Sequence, residues 1–237
     1  MRPMLHWLRK LGNLISPMDK STIKNIFWDV DGVLADLNYA YYHFLKGHSN
    51  YRDQYKDLTW EQLLEVLPIL PEYGALELKT HPEHGEQMDR DFCADQSFFR
   101  NRPLYPGVIE TLKELNELGY RQFTMSATFD VEKKKAYLED ILAPVTDFLT
   151  IECVEHGEFM QDTAKKDSLL ACYQKYDLLQ EETILVDDRI YNLHAAIDSG
   201  AHPIRMRCEF TTDLPRELSW VPEFPNVVSF KQWLVDK

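Results

Sequence analysis

The chain is 237 residues long and carries 39 Asp and Glu against 26 Lys and Arg, a formal net charge of −13. Its 44% hydrophobic content excludes wholesale disorder, and its acidity argues against a nucleic-acid polymer as partner, whose phosphates need clustered Lys and Arg. Cys93, Cys153, Cys172 and Cys208 form no C-x-x-C pair, so they read as reduced thiols of a cytoplasmic protein, not as a disulfide framework or a zinc site.

Residues 1–20 form the first predicted element. Leu5, Trp7, Leu8, Leu11, Leu14 and Ile15 share a helical face beside Arg2, Arg9 and Lys10. Basic and apolar runs are mixed there, which makes a poor secretory signal. The expectation is a short helix ahead of the domain, with membrane-surface contact or organelle targeting as the alternative. No run reaches the ~20 apolar residues that a membrane span needs.

A strand follows over residues 23–28 and stops at the acidic pair Asp29 and Asp31. Residues 37–102 show no convincing strand and are expected to form a helical insert. Helices are predicted over 37–46 and 59–67, the second opened by a capping box at Thr59 and Gln62, with Pro68, Pro71 and Pro82 in a looser middle. Tyr39, Tyr41, Tyr42, Phe44, Trp60, Tyr73, Phe98 and Phe99 of the insert read mainly as packing residues, and His81 and His84 as solvated loop histidines.

The core then resumes, giving predicted units at 21–36 plus 103–237. Further strands are expected over 120–126, 148–154, 183–186 and 202–206. Helices are expected after Gly107, over 131–142 with Asp130 as N-cap, over 167–178, and over 190–199 up to Gly200. Strands alternating with helices of this length predict an α/β fold: a Rossmann-like parallel sheet of about five strands, helices on both faces, and an inserted helical cap.

Ligands of such sheets bind beyond the carboxyl ends of the strands. Those ends carry Asp29 and Asp31 after strand one, Ser126 after strand two, and Asp187 and Asp188 after strand four, with Lys165 and Lys166 upstream. Two unit charges ~4 Å apart repel by about 4 kcal/mol at an effective dielectric near ~20, so four converging carboxylates call for a hard divalent cation. Oxygen donors suit Mg2+ better than zinc. A cation, a lysine and a hydroxyl beside a carboxylate suit phosphoryl transfer.

FWDVDGVLAD resembles the first motif of the haloacid dehalogenase (HAD) superfamily. Ser126 after FTM is similar to the second motif, AKKDSL to the third, and ILVDDRIYNLHAAIDSGA to the fourth, all in the family's order. The resemblance implies Asp29 as nucleophile and Asp31 as general acid and base. It places Mg2+ on Asp29, the backbone carbonyl of Asp31, and Asp188, with Asp187 as a direct or indirect partner. Ser126 and Lys165 would hold the phosphate, helped by backbone N–H groups from Val30 to Gly32. Ala127, Lys166, Arg189 and Asn192 are the further substrate-side candidates, Asn192 standing where many relatives carry a second acid. AKKDSL lacks the common K-P dipeptide, which leaves Lys165 and Lys166 as alternatives.

An Asp two residues after the nucleophile is similar to the phosphatases of the family. FFRNRPLYPGVIETLKELNELG with DGVLAD and VDDR resembles its 5′(3′)-deoxyribonucleotidase branch. The implied activity is Mg2+-dependent hydrolysis of a small phosphate monoester, with a nucleoside monophosphate first. Sugar or aromatic (phosphotyrosine-like) phosphates are alternatives, as are a phosphomutase and a non-catalytic binding protein on the same fold.

Overall fold

A computed structural model describes residues 18–67, 69–70, 75–76, 85–95, 102–128, 130–155, 164–207 and 212–236. The apolar face expected at 1–17 lies outside these residues, as do Pro68, Pro71, Tyr73, His81, Pro82, His84, Phe98, Phe99 and Cys208.

Strand β1 (Asn25–Trp28) is buried at every position, as a central parallel strand should be. Ile26 and Trp28 enter one apolar cluster and Phe27 another, so strand alternation divides the core into two layers. The insert follows: α1 (Leu37–Gly47), α2 (Arg52–Tyr55), α3 (Trp60–Val66), a ladder of β2 (Ile69–Leu70) with β3 (Ala75–Leu76), and α4 (Gly85–Ala94). The core continues through α5 (Val108–Glu117), β4 (Arg121–Thr124), β5 (Ser126–Thr128), α6 (Val131–Ile141), β6 (Leu149–Thr150), β7 (Cys153–Glu155) and α7 (Ala164–Tyr176). It closes with β8 (Thr183–Asp187), α8 (Ile190–Ser199), β9 (His202–Met206), β10 (Glu223–Phe224) and α9 (Val227–Val235).

The main sheet is six-stranded, ordered β10-β9-β8-β1-β4-β6, and every described pairing in it is parallel. Helices α5, α6 and α9 pack on one face and α7 and α8 on the other. This is the predicted α/β architecture with one strand more than expected. The added strand, β10, is two residues long between Pro222 and Pro225 and therefore reads as loop in the sequence.

Two expected strands are each broken in two. Residues 121–124 pair with β1, but Met125 turns its N–H to the Trp28 carbonyl at 2.7 Å. Ser126–Thr128 then pairs with Cys153–Glu155 in a separate two-stranded ladder. Ser126 therefore opens β5 and does not end β4. The insert also contains an antiparallel ladder, Ile69 with Leu76 and Leu70 with Ala75, where no strand was expected. Thr59 and Gln62 form the predicted capping box, and Asp130 caps α6 through the Lys133 N–H.

The insert owns a core separate from the sheet: Tyr41, Phe44, Leu45, Tyr51, Tyr55, Leu63, Met88 and Phe92 are buried against one another. Among the described residues no helix is long and apolar enough to cross a membrane. Cys93 is exposed, whereas burial pushes the Cys153 and Cys172 thiols up to about 11, so these two are inert at neutral pH.

Candidate active site

Two adjacent parallel strands deliver the acidic residues. Asp29 follows β1, Asp187 ends β8, and Asp188 follows it, so direct pairing of β1 with β8 brings them side by side. One carboxylate oxygen from each of Asp29, Asp187 and Asp188 lies within 4.8 Å of the others, and all three residues are buried. Lys165, in the first turn of α7, is buried between them, its Nζ 2.8 Å from Asp29 Oδ1 and 2.6 Å from Asp187 Oδ2.

Three buried carboxylates share the Lys165 ammonium, with the Arg189 guanidinium acting on Asp188 as a further cation. Burial pushes the Asp29 carboxyl up to about 6, with Asp187 and Asp31 adding to the rise and Lys165 opposing it. Burial and then Asp187 hold Asp188 well above the usual carboxylate range. Burial opposes the charge on Lys165, but Asp187 and Asp29 outweigh it and hold its pKa above the ordinary value.

Two polar atoms here are buried without a hydrogen-bond partner among the described residues: Asp188 Oδ1 and Ser126 Oγ. An unmatched carboxylate oxygen beside two other carboxylates suits a hard cation, and an unmatched hydroxyl suits an anionic oxygen. The donor set fits Mg2+.

The loop after Asp29 is wound tightly. The N–H groups of Leu34 and Ala35 both donate to the Val30 carbonyl, and the Gly32 N–H donates to Ala35. Of the N–H groups expected to cradle phosphate, that of Gly32 is thus engaged inside the loop. Gly32 has φ +83°, and a Cβ there would lie 2.6 Å from Asp188 Oδ2. Gly32→Ala should therefore combine left-handed strain of about 1–2 kcal/mol with displacement of Asp188. The expected result is a lower urea midpoint than that of the wild type.

The remaining candidates separate. Asn192 Nδ2 and the Arg189 N–H each donate to Asp187 Oδ1 at 3.0 Å, so Asn192 orients that acid. The Arg189 side chain donates to the Tyr191 hydroxyl at 2.9 Å. Ala127 packs partly buried against the cluster of Phe27 and Phe123. Lys166 pairs with Asp198 at 3.5 Å, whereas Lys165 is the lysine that pairs with Asp29 and Asp187 of the acidic triad.

The Asp31 carboxylate stands outside the acidic triad, paired with Arg102 and, at 2.7 Å, with Lys134. For metal binding the expectation names only the backbone carbonyl of Asp31. Burial works to raise its pKa, but Arg102 and Lys134 outweigh it and hold the carboxyl far below the usual range. Neither cation was singled out from the sequence. Lys134 did carry a signal: it shares the buried face of α6 with Tyr137 and Leu138, at helical spacing.

A cavity of about 860 Å³ is lined by Gly32, by Tyr39, Tyr42 and Trp60 of the insert and by Tyr105 and Met206 of the core.

A family model described as haloacid dehalogenase-like hydrolase matches residues 23–200. An Oceanobacillus iheyensis protein provisionally named a nucleotidase is 29% identical over 122 residues, covering 51% of this chain and 60% of that one. The chain thus matches about three fifths of that relative's length. Solved structures are similar at low identity. A Streptococcus pneumoniae haloacid dehalogenase-like hydrolase superposes with TM-score 0.57 at 15% identity, over 90% of this chain and 99% of its own. CbbY of Rhodobacter sphaeroides, solved with phosphate, gives 0.53 at 16% over 88% and 96%. At these identities the structural likeness establishes the fold.

Proposed function

Because the chain belongs to the haloacid dehalogenase-like hydrolase family, we propose that it hydrolyses small phosphate monoesters, with Mg2+, through an aspartyl-phosphate. The observation that carries this reading is the buried Asp29–Lys165–Asp187–Asp188 constellation with its unmatched Asp188 oxygen. Mg2+ held by Asp29, the Asp31 carbonyl and Asp188 would neutralise charge on the phosphoryl oxygens.

The protein's own groups perform the steps. An Asp29 oxygen bonds to phosphorus as the ester P–O bond breaks. The electron pair leaves on the ester oxygen, which takes a proton from Asp31. Water then attacks phosphorus and gives its proton to Asp31, the bond to Asp29 breaks, and inorganic phosphate departs. Ser126 donates its hydroxyl to a phosphoryl oxygen, and Lys165 balances the phosphate while fixing the nucleophile. Asp187, bonded to Lys165, Asn192 and the Arg189 N–H, sets the lysine's position. Paired with Arg102 and Lys134 the Asp31 carboxyl is ionised, so to serve as acid it leaves the two cations and takes up a proton from solvent before reaching the ester oxygen. Residues 37–102 serve as a cap that closes over the crevice and excludes water, a reading supported by their separate core.

The relative named as a nucleotidase puts nucleoside monophosphates first on a substrate panel, ahead of sugar, glycolate and aromatic phosphates. The presence of Asp29, Asp31, Ser126, Lys165 and Asp188 together argues against a non-catalytic protein on this fold. Hydrolysis of p-nitrophenyl phosphate should fall at least about 100-fold on chelation with EDTA and return with Mg2+. Activity that ignores chelation overturns the proposal.

The raised pKa of Asp29 supplies a pH test. With about 6 in the folded state against ~3.9 unfolded, this group lowers stability above pH 6, and the cost fades as pH falls towards ~4. Mg2+ relieves that cost. The rise in melting temperature on adding Mg2+ should be full near about pH 7.5 and shrink as pH falls through about 6. A rise independent of pH across this window contradicts the assignment of Asp29 as a ligand.

A further inference from the structure

Arg205 stands on β9 directly across from Asp187 in the parallel pairing of β8 with β9. Its side chain is 1% exposed, and it lies beyond residues 23–200, the stretch that the family model matches. A guanidinium is buried at a cost that only a full set of hydrogen bonds offsets. Here Nη1 donates to the Thr212 carbonyl at 2.7 Å and to Glu223 Oε2 at 3.1 Å, and Nε donates to the Asp188 carbonyl at 3.4 Å. Its neighbours on the strand, Ile204 and Met206, are buried apolar residues, so packing alone does not call for an arginine.

The Asp188 carbonyl and the Arg189 N–H are the two ends of one peptide unit. The N–H end donates to Asp187 Oδ1 at 3.0 Å, so the unit is gripped at both ends, by Asp187 and by Arg205. A peptide unit is planar, and holding both ends stops it from turning, and with it the Asp188 backbone from which the carboxylate projects. The carboxylate itself is thinly supported. Its Oδ1 is buried without a hydrogen-bond partner among the described residues.

We propose that Arg205 is a positioning residue for the metal corner: through the Asp188 carbonyl it keeps the Asp188 carboxylate beside those of Asp29 and Asp187. The inference rests on the Mg2+-dependent phosphatase reading and adds to that site a residue from the C-terminal end of the chain. Arg205 acts through Asp188 and not on the ion or the substrate. Glu223, whose side chain is 28% exposed, anchors the other end of the guanidinium.

Calorimetric titration of the full chain with Mg2+ tests this in Arg205→Lys, Arg205→Met and Glu223→Gln. Lysine keeps the charge beside Glu223 but lacks the rigid fork that reaches three acceptors at once. Both Arg205 variants should bind Mg2+ at least about tenfold more weakly, the usual loss when a group that orients a ligand is removed. For Arg205→Lys, kcat with p-nitrophenyl phosphate should recover towards the wild-type value at saturating Mg2+. Glu223→Gln should lower the melting temperature and leave Mg2+ affinity within about twofold of wild type. Wild-type affinity in Arg205→Lys overturns the proposal. So does an equal loss in Glu223→Gln, which would make the metal corner follow the stability of the β9–β10 region. An Arg205→Lys chain that stays unfolded in saturating Mg2+ also overturns it, by assigning the arginine to the fold. In each of these cases a wild type that binds Mg2+ and hydrolyses the ester leaves the phosphatase reading standing. A wild type that binds no Mg2+ refutes that reading and the positioning role together.

Discussion

Asp29→Asn is expected to lower turnover at least about 10⁴-fold while raising the melting temperature of the metal-free protein. The two effects have one cause. Asp29 is buried among carboxylates, and at neutral pH its ionised form is held against a pKa of about 6. The displacement from ~3.9 corresponds to a cost of up to about 3 kcal/mol in the folded state. A neutral amide of the same shape removes that cost and gives up the 2.8 Å ion pair with Lys165, which keeps its bond to Asp187. Asparagine cannot form the acyl phosphate, so no phosphorylated enzyme should accumulate. Thermal denaturation in EDTA beside a single-turnover assay checks both halves. A lower melting temperature would show that the Lys165 pair outweighs the burial of charge.

Lys165→Met should abolish turnover equally but shift stability the other way. It leaves Asp29 and Asp187 buried without their shared ammonium, a loss of about 3–5 kcal/mol by the precedent of broken buried pairs. The loss should be smaller near about pH 5 than near about pH 7.5, because Asp29 takes up a proton on the way down. Urea denaturation at the two pH values measures it. If both variants are destabilised alike, the site is held by packing and not by the charge balance described here.

The acidic ends were legible because each follows a run of apolar strand residues, so the carboxyl edge of the sheet could be read directly. The choice between Lys165 and Lys166 was not. It depends on α7 beginning at Ala164, three residues earlier than its apolar pattern suggests, which buries one lysine and leaves its neighbour to Asp198. The partners of Asp31 were hidden for a related reason. Arg102 lies in a polar stretch, and Lys134 is one of three consecutive lysines, so only its spacing from Tyr137 marks it as buried. The division of the second and third strands was also illegible, since the bond from Met125 to Trp28 arises between distant segments and leaves no mark on local alternation.

The central strand has consequences for how the chain acquires its shape. Trp28 Nε1 donates to Gln122 Oε1 across 94 residues, and Asn25 Nδ2 to Thr183 Oγ1 across 158. Pairings so remote in sequence make for slow folding, because the intervening chain must be ordered before they reward it. On the ribosome, β1 waits unpaired until its neighbours emerge, and the acidic corner comes into being only with the last of them.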